Sequence, residues 1–411
     1  MSLSNITLSA AVRQNLLSLQ GTADLLATTQ GRLATGKKVN SALDNPTNFF
    51  TAAGLDSRAS DISNLLDSIG NGVQVLQAAN TGITSLSKLV DTAKSIANQV
   101  LQAPVGYSTK ANVDVVGTGA GTSAVLTAAN LNTGKLAASV ITFKTSTSTL
   151  AVTIGATFAT GTGTATVSTL DQLNSVLASN NITLNAAVST TADTVTFTST
   201  NDAASQTITK TGTAPTGVGV DISGTTTATV GTVNAAVADA VSQATRSSLV
   251  SQYNQIITQI TTTAQDASFN GVNLLNGDSL KLVFDETGKS TSTITGVTFN
   301  PGGLGLKVLT AGTDFVDNNA TNTVLTALNI ASVTLRSQAS AFGANLSIVQ
   351  IRQDFNKNLI NVLQTGSSAL TLADSNEEAA NSQALSTRQS IAVSALALAN
   401  TSQQSVLQLL R

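Results

Sequence analysis

The chain has 411 residues, a formal net charge of −2, 10 % charged residues and 3 % aromatic residues. That sparse, nearly balanced charge argues against nucleic acid or an anionic membrane surface as a partner, and no apolar run approaches the ~20 residues of a membrane span. Cysteine and histidine are both absent, which excludes a disulfide framework and a thiolate metal site and removes the commonest general base.

The first 45 residues are free of proline and helical in pattern. Val12, Leu16, Leu19, Ala23, Leu26 and Leu33 recur in steps of four and three, interrupted only by Gln30. Such a seam calls for a partner helix. No compact apolar core followed by a small-residue cleavage site opens the chain, so no removable secretory signal is expected. Gly36 suits a left-handed helix end, and Asn45-Pro46 suits the start of a turn. A structural turn is therefore the preferred role for Gly36, Asn40 and Asp44, and core anchoring the preferred role for Phe49 and Phe50.

The longest periodic segment runs from about Leu55 to Leu101. Eleven of fourteen seam positions are apolar, with Asn80, Ser87 and Lys94 as exceptions. At ~1.5 Å per residue this predicts a helix of ~70 Å, too long for a compact domain and suited to a rod. Gly70, Gly72 and Gly82 inside it are tolerable where other structure packs closely. Pro104 marks its stop.

Residues 105–236 hold nine charged residues and neither Arg nor Glu. Alternation predicts strands at Ser139–Lys144, Leu150–Ile154, Ile182–Val188 and Val195–Thr198, with a short helix at Leu170–Leu177. This order suggests a β-rich or α+β insert. A further helix is predicted over 238–264 and strands at Leu280–Phe284 and Val297–Phe299. A long helix over 320–365 carries Val324, Leu328, Leu335, Phe342 and Val349, then drifts to Ile351, Phe355, Leu359 and Val362. The final helix, 367–411, carries Ile391, Ala395, Leu398, Val406 and Leu409 around Ser402. Asp374, Glu377 and Glu378 fit a charged first turn that complements its dipole.

The expected fold class is α+β, with a helical coiled-coil rod built by both chain ends and a β-rich middle. The expected domains are a terminal coiled coil (1–45 with 367–411), a helical rod with a β-hairpin region (46–104 with 237–366) and a Thr/Gly-rich insert (105–236). Apolar residues off the main seam, including Leu17, Leu25, Val393 and Leu410, would stay exposed in a lone helix pair. Exposed patches of that kind mark interaction sites. The expected assembly interface comprises Val12, Leu16, Leu19, Leu26, Leu33, Ile391, Ala395, Leu398, Val406, Leu409, Leu410 and Arg411. No P-loop, calcium nonapeptide or EF-hand spacing is present, so no catalytic, cofactor or metal residue is expected.

Three segments carry a family resemblance. Arg32-Leu-Ala-Thr-Gly36-Lys-Lys-Val-Asn40-Ser-Ala-Leu-Asp44 resembles the N-terminal signature of bacterial flagellin. Ala267-Ser-Phe269-Asn270-Gly271-Val-Asn-Leu-Leu275-Asn-Gly277 is similar to the family's turn-and-strand signature, and Ala399-Asn400 with Val406-Leu-Gln-Leu-Leu-Arg411 looks like its C-terminus. The resemblance implies a secreted, non-enzymatic subunit that polymerises with copies of itself into the extracellular filament. It implies export unfolded, without a cleaved signal. It also implies an export chaperone, a cap and hook-associated proteins as partners, and neither nucleic acid nor membrane. Two rivals are a hook–filament junction protein and a surface adhesin whose insert binds a ligand above a helical stalk.

Overall fold

The computed structural model describes residues 10–119, 126–189, 193–215, 219–225 and 228–409. Six α-helices are described: α1 (Ala10–Thr35), α2 (Pro46–Gln102), α3 (Leu170–Ser179), α4 (Ala240–Asp266), α5 (Asn318–Thr371) and α6 (Ser375–Leu409). Pro46 takes the first position of α2, where an N–H has no helical acceptor, while the Asn45 side chain accepts from Asn48 N at 3.0 Å. The expected turn at Asn45-Pro46 is thus the cap of the 57-residue helix.

The chain divides into two compact units. The first gathers the chain up to Gln74, Lys281–Ile294 and the chain from Asn345 onward. In it α1 packs on α6. The start of α2 meets the end of α5 through Ala59, Ile62 and Leu363, flanked by Leu55, Leu359 and Ile360. Asn356, buried on α5, donates to the Phe284 carbonyl at 3.0 Å, and the Arg352 guanidinium lies 5.7 Å from the Phe284 ring centroid. Arg58 pairs with Glu286. A side chain at Gly72 would overlap Leu282, which accounts for that glycine.

The second unit comprises Val75–Leu280 and Thr295–Ala344. Here α2 buries two rows. The expected row supplies Leu76, Ile83, Val90 and Ala97, and a neighbouring row supplies Val75, Ala79, Leu86, Ala93, Ile96 and Val100. The second row carries the burial past Asn80, Ser87 and Lys94. A Cβ on Gly82 would stand 2.6 Å from Ala267 and 2.7 Å from Leu275, so close packing explains it.

The insert lies in this unit. Its strands are β1 (Tyr107–Thr109), β2 (Asn112–Gly117), β3 (Val140–Lys144), β4 (Thr149–Ile154), β5 (Ala159–Gly161), β6 (Thr164–Val167), β7 (Leu184–Val188), β8 (Thr194–Ser199), β9 (Thr207–Thr209), β10 (Gly219–Thr225), β11 (Ala228–Asn234) and β12 (Val237–Ala238). A mixed sheet runs β5-β6-β4-β3-β10-β9, and an antiparallel sheet runs β11-β2-β8-β7. Both contribute to one apolar core with α3, in which Phe143 and Phe197 meet edge-on at 5.2 Å. A capping box between Thr169 and Gln172 starts α3. The four strands expected in the insert are β3, β4, β7 and β8, within two residues at each end.

The insert is tied down where it meets the helices. β1 pairs with β12. Buried Arg246 of α4 donates to the carbonyls of Pro104 (3.1 Å) and Phe315 (2.9 Å). Asp317 caps α5 through Ala320 N at 2.9 Å and accepts from the Ser205 hydroxyl at 2.5 Å. Asp202 receives Asn318 Nδ2 at 3.1 Å and, on its carbonyl, Asn319 N at 2.8 Å.

Two expectations are corrected. The last two strands, β13 (Ser279–Val283) and β14 (Thr291–Thr295), form a hairpin. Val297–Phe299 lies beyond it and bonds the 274–276 segment instead, Val297 N to Leu274 O at 2.7 Å and Phe299 N to Leu275 O at 2.8 Å. On α5 the buried row does not drift to Ile351, Phe355 and Val362, which are exposed. It continues through Val349, Asn356, Leu363 and Ser367, because the polar Asn356 has its own acceptor in Phe284.

Candidate assembly surface on the paired terminal helices

α1 and α6 run antiparallel, each presenting a heptad row to the other. On α1 the row is Val12, Asn15, Leu19, Thr22, Leu26, Thr29 and Arg32. On α6 it is Glu378, Ser382, Leu385, Gln389, Ala392, Leu396 and Ala399. Spacings of three and four keep these positions on one face. The rows mix Val and Leu with small and polar residues. Arg32 and Glu378 form an ion pair at 3.4 Å, with the Glu378 side chain only 10 % exposed.

The expected seam therefore splits. Val12, Leu19 and Leu26 face α6, whereas Leu16 and Leu33 stay 37 % and 42 % exposed beside them. Ile391, Ala395 and Leu398 form the neighbouring row of α6 and point away from α1, with Ile391 63 % and Leu398 73 % exposed. Leu17, Leu25 and Val393 are exposed as well. Val406 and Leu409 lie in the last turn of α6, and their side chains, like Leu410 and Arg411, fall outside the described residues. The intrachain pairing thus uses Val12, Leu19, Leu26, Leu385 and Leu396 among small and polar residues, and leaves a second set of large aliphatic residues outside.

The signature turn joins this pair to the longer helices. Gly36 ends α1 at φ 68°, a conformation costly for residues with a Cβ. Its carbonyl accepts from Ala373 N at 3.0 Å, and Lys38 N donates to Thr371 O at 2.7 Å. Lys37 and Leu372 form an isolated antiparallel bridge. Asn40 Nδ2 donates to Lys37 O at 3.0 Å. One Asp44 oxygen accepts from Ser41 N (2.8 Å), Asn40 N (2.9 Å) and the Ser41 hydroxyl (3.2 Å). The Ser41 and then the Asn40 backbone N–H hold the Asp44 carboxyl below its ordinary range. Asp374 caps α6, its side chain accepting from Asn376 N at 2.9 Å. Glu377 and Glu378 both sit in the first turn as expected, and Glu378 also turns inward to Arg32, an ion pair that helical spacing alone does not reveal. Phe49 is half-buried and packs edge-on against Phe50, which is exposed and so is no core anchor.

Among the described residues, no helix is long and apolar enough to cross a membrane. The arrangement defines a class: a long-helix protein whose chain ends pair as an antiparallel coiled coil and keep an aliphatic face outward. The comparisons narrow it. Residues 5–111 match the bacterial flagellin N-terminal helical region, and residues 325–410 match the bacterial flagellin C-terminal helical region. Both terminal regions of the chain are thus similar to bacterial flagellin. It is similar to the flagellin FljM of Caulobacter vibrioides, 34 % identical over 164 residues, which cover 40 % of this chain and 59 % of that protein. FljO of the same organism is 31 % identical over 172 residues, covering 42 % and 62 %. A flagellin of Brucella melitensis is 27 % identical over 170 residues, covering 39 % and 60 %. The chain thus spans about three-fifths of the length of the relatives it matches.

Proposed function

We propose that this chain is a structural subunit that polymerises with copies of itself into the bacterial flagellar filament for motility. The observation that carries the reading is the set of exposed aliphatic side chains on both paired terminal helices: Leu16, Leu17, Leu25, Ile391, Val393 and Leu398. Association buries those side chains against neighbouring copies at ~25 cal/mol per Å² of apolar surface. Repeated heterologous contacts that do not close on themselves generate a helical polymer. In this reading α1 and α6 form the inner tube, with Val12, Leu19 and Leu26 holding the pair together. The remaining interface residues, including Leu33, Ala395, Val406, Leu409, Leu410 and Arg411, meet neighbours. The Gly36–Asp44 turn sets the angle between inner and outer helices, and the insert, 105–236, is displayed on the surface.

The chain works by packing and not as an enzyme. Its route is secretion to the extracellular flagellum, assisted by an export chaperone, a cap and hook-associated proteins. A flagellin-deficient bacterium supplied with this chain tests the proposal. Restored swimming with long filaments supports it. Export of the chain without filaments in a strain whose cap and hook proteins are intact refutes it.

A further inference from the structure

The sequence contains three Asn-Gly dipeptides, at 71–72, 270–271 and 276–277. Their surroundings differ in whether the following backbone nitrogen, which must attack the asparagine side chain, is held in a hydrogen bond. Asn71 and Gly72 lie within α2, so the Gly72 N–H belongs to the helical ladder. Gly277 donates its N–H to Val297 O at 3.1 Å. Asn270 and Gly271 are the two central residues of a tight hairpin in which Phe269 and Val272 exchange both backbone hydrogen bonds at 3.0 Å. Both central residues have positive φ, 50° and 80°, the conformation that favours Asn-Gly in two-residue turns. Both are exposed, and neither the Asn270 side chain nor the Gly271 N–H has a partner among the described residues.

We infer that Asn270 is a site of spontaneous covalent modification: deamidation through a cyclic imide. The Gly271 nitrogen attacks Asn270 Cγ, a C–N bond forms, and the side-chain amide leaves as ammonia, which carries away the displaced proton. Water then opens the five-membered ring at either carbonyl and leaves aspartate or isoaspartate. No oxidant or reductant takes part. Glycine after the asparagine removes the Cβ that would hinder the attack. Each event adds one negative charge, and the isoaspartyl product also adds a backbone atom to a two-residue turn. That turn leads directly to Asn273, which is buried, donates to Ala264 O and Gln265 O at 2.8 Å each and so closes the end of α4. The modified turn therefore reaches a packed cap through only two intervening residues.

The test is a time course on the purified full chain in mildly alkaline buffer, native and in denaturant. It is read by peptide mass mapping and by labelling with a protein isoaspartyl methyltransferase and its methyl donor. In the native chain Asn270 is expected to convert at least about tenfold faster than Asn71 and Asn276, a barrier difference of about 1.4 kcal/mol. In denaturant the three rates are expected to converge to within about twofold, a difference well under 1 kcal/mol. Equal native rates at the three sites, faster conversion at Asn71 or Asn276, or an unchanged ranking in denaturant overturns the inference.

Discussion

Replacing Leu398 with aspartate separates folding of one chain from assembly of many. Leu398 sits on the outer row of α6 and is 73 % exposed. Within a single chain the change touches solvent, so its effect on folding stays within about 0.5 kcal/mol. In a polymer that buries the row, two terms appear. Full burial of a leucine side chain is worth about 1.5–3 kcal/mol, of which the exposed fraction leaves about 1–2 kcal/mol to be gained on assembly. The aspartate forfeits that and must also lose its water. Neutralising a carboxylate of ordinary pKa at pH 7 costs about 4 kcal/mol, which caps the second term. Partial access to solvent at the contact reduces it, and the sum falls at about 3–6 kcal/mol per subunit. The critical concentration should then rise about 10²–10⁴-fold. The assay is pelleting of wild type and variant across a concentration series with filament seeds, with circular dichroism to verify equal helix content and an equal melting transition. An unchanged critical concentration at unchanged stability would refute burial of this row.

Further predictions bear on the junction and the insert. Arg32→Ala removes the partner of the nearly buried Glu378 carboxylate. Because Arg32 itself is partly exposed, the cost should be about 1–2 kcal/mol, read as faster amide exchange in α1 and α6, and Arg32→Ala with Glu378→Gln should recover part of it. The Asp44 carboxyl is depressed from its ordinary 3.8 by backbone donors. Its stabilisation is therefore complete above about 3.8 and is lost as pH falls through the lower folded value. Amide exchange at Ser41 and Asn40 should accelerate across that acid range in the wild type, while Asp44→Asn should show no step there. Thr169→Ala breaks the capping box that opens α3. It should lower the stability of the insert by about 1 kcal/mol in denaturant melts without changing α1–α6 pairing.

The long helices are legible because their signal is repeated many times. Leu55 to Leu101 alternates through fourteen seam positions, and one polar interruption such as Asn80 does not erase it. What periodicity does not reveal is which of two adjacent rows meets the partner within the chain. On α6 Ile391, Ala395 and Leu398 form one apolar row, yet the adjacent row with Leu385, Ala392, Leu396 and Ala399 is the one that faces α1. The same ambiguity misplaced the end of α5, where Asn356 and Ser367 occupy buried positions that a hydrophobic pattern rejects. The bond that Asn356 Nδ2 donates to Phe284 O makes its burial tolerable, but that partner lies on another segment of the chain.

In the insert, β3, β4, β7 and β8 are legible from Val, Ile, Leu and Phe at alternate positions. Edge and short strands such as β5 (Ala159–Gly161) and β9 (Thr207–Thr209) are not, because Thr, Gly and Ala carry little contrast between the two faces. The signature turn was readable as a turn from Gly36 and Asn45-Pro46. Its bridge to Thr371 and Ala373 joins residues more than three hundred positions apart, a pairing that local pattern does not encode.

The central claim is that copies of this chain bury the exposed aliphatic side chains of α1 and α6 against one another as they add to a growing filament. Electron microscopy of the purified chain mixed with short, assembly-competent filament fragments tests it most directly, with pelleted mass followed in parallel. Long uniform tubes growing from the seeds, with protein disappearing from solution, are the predicted result. Soluble chains that never extend competent seeds would contradict it.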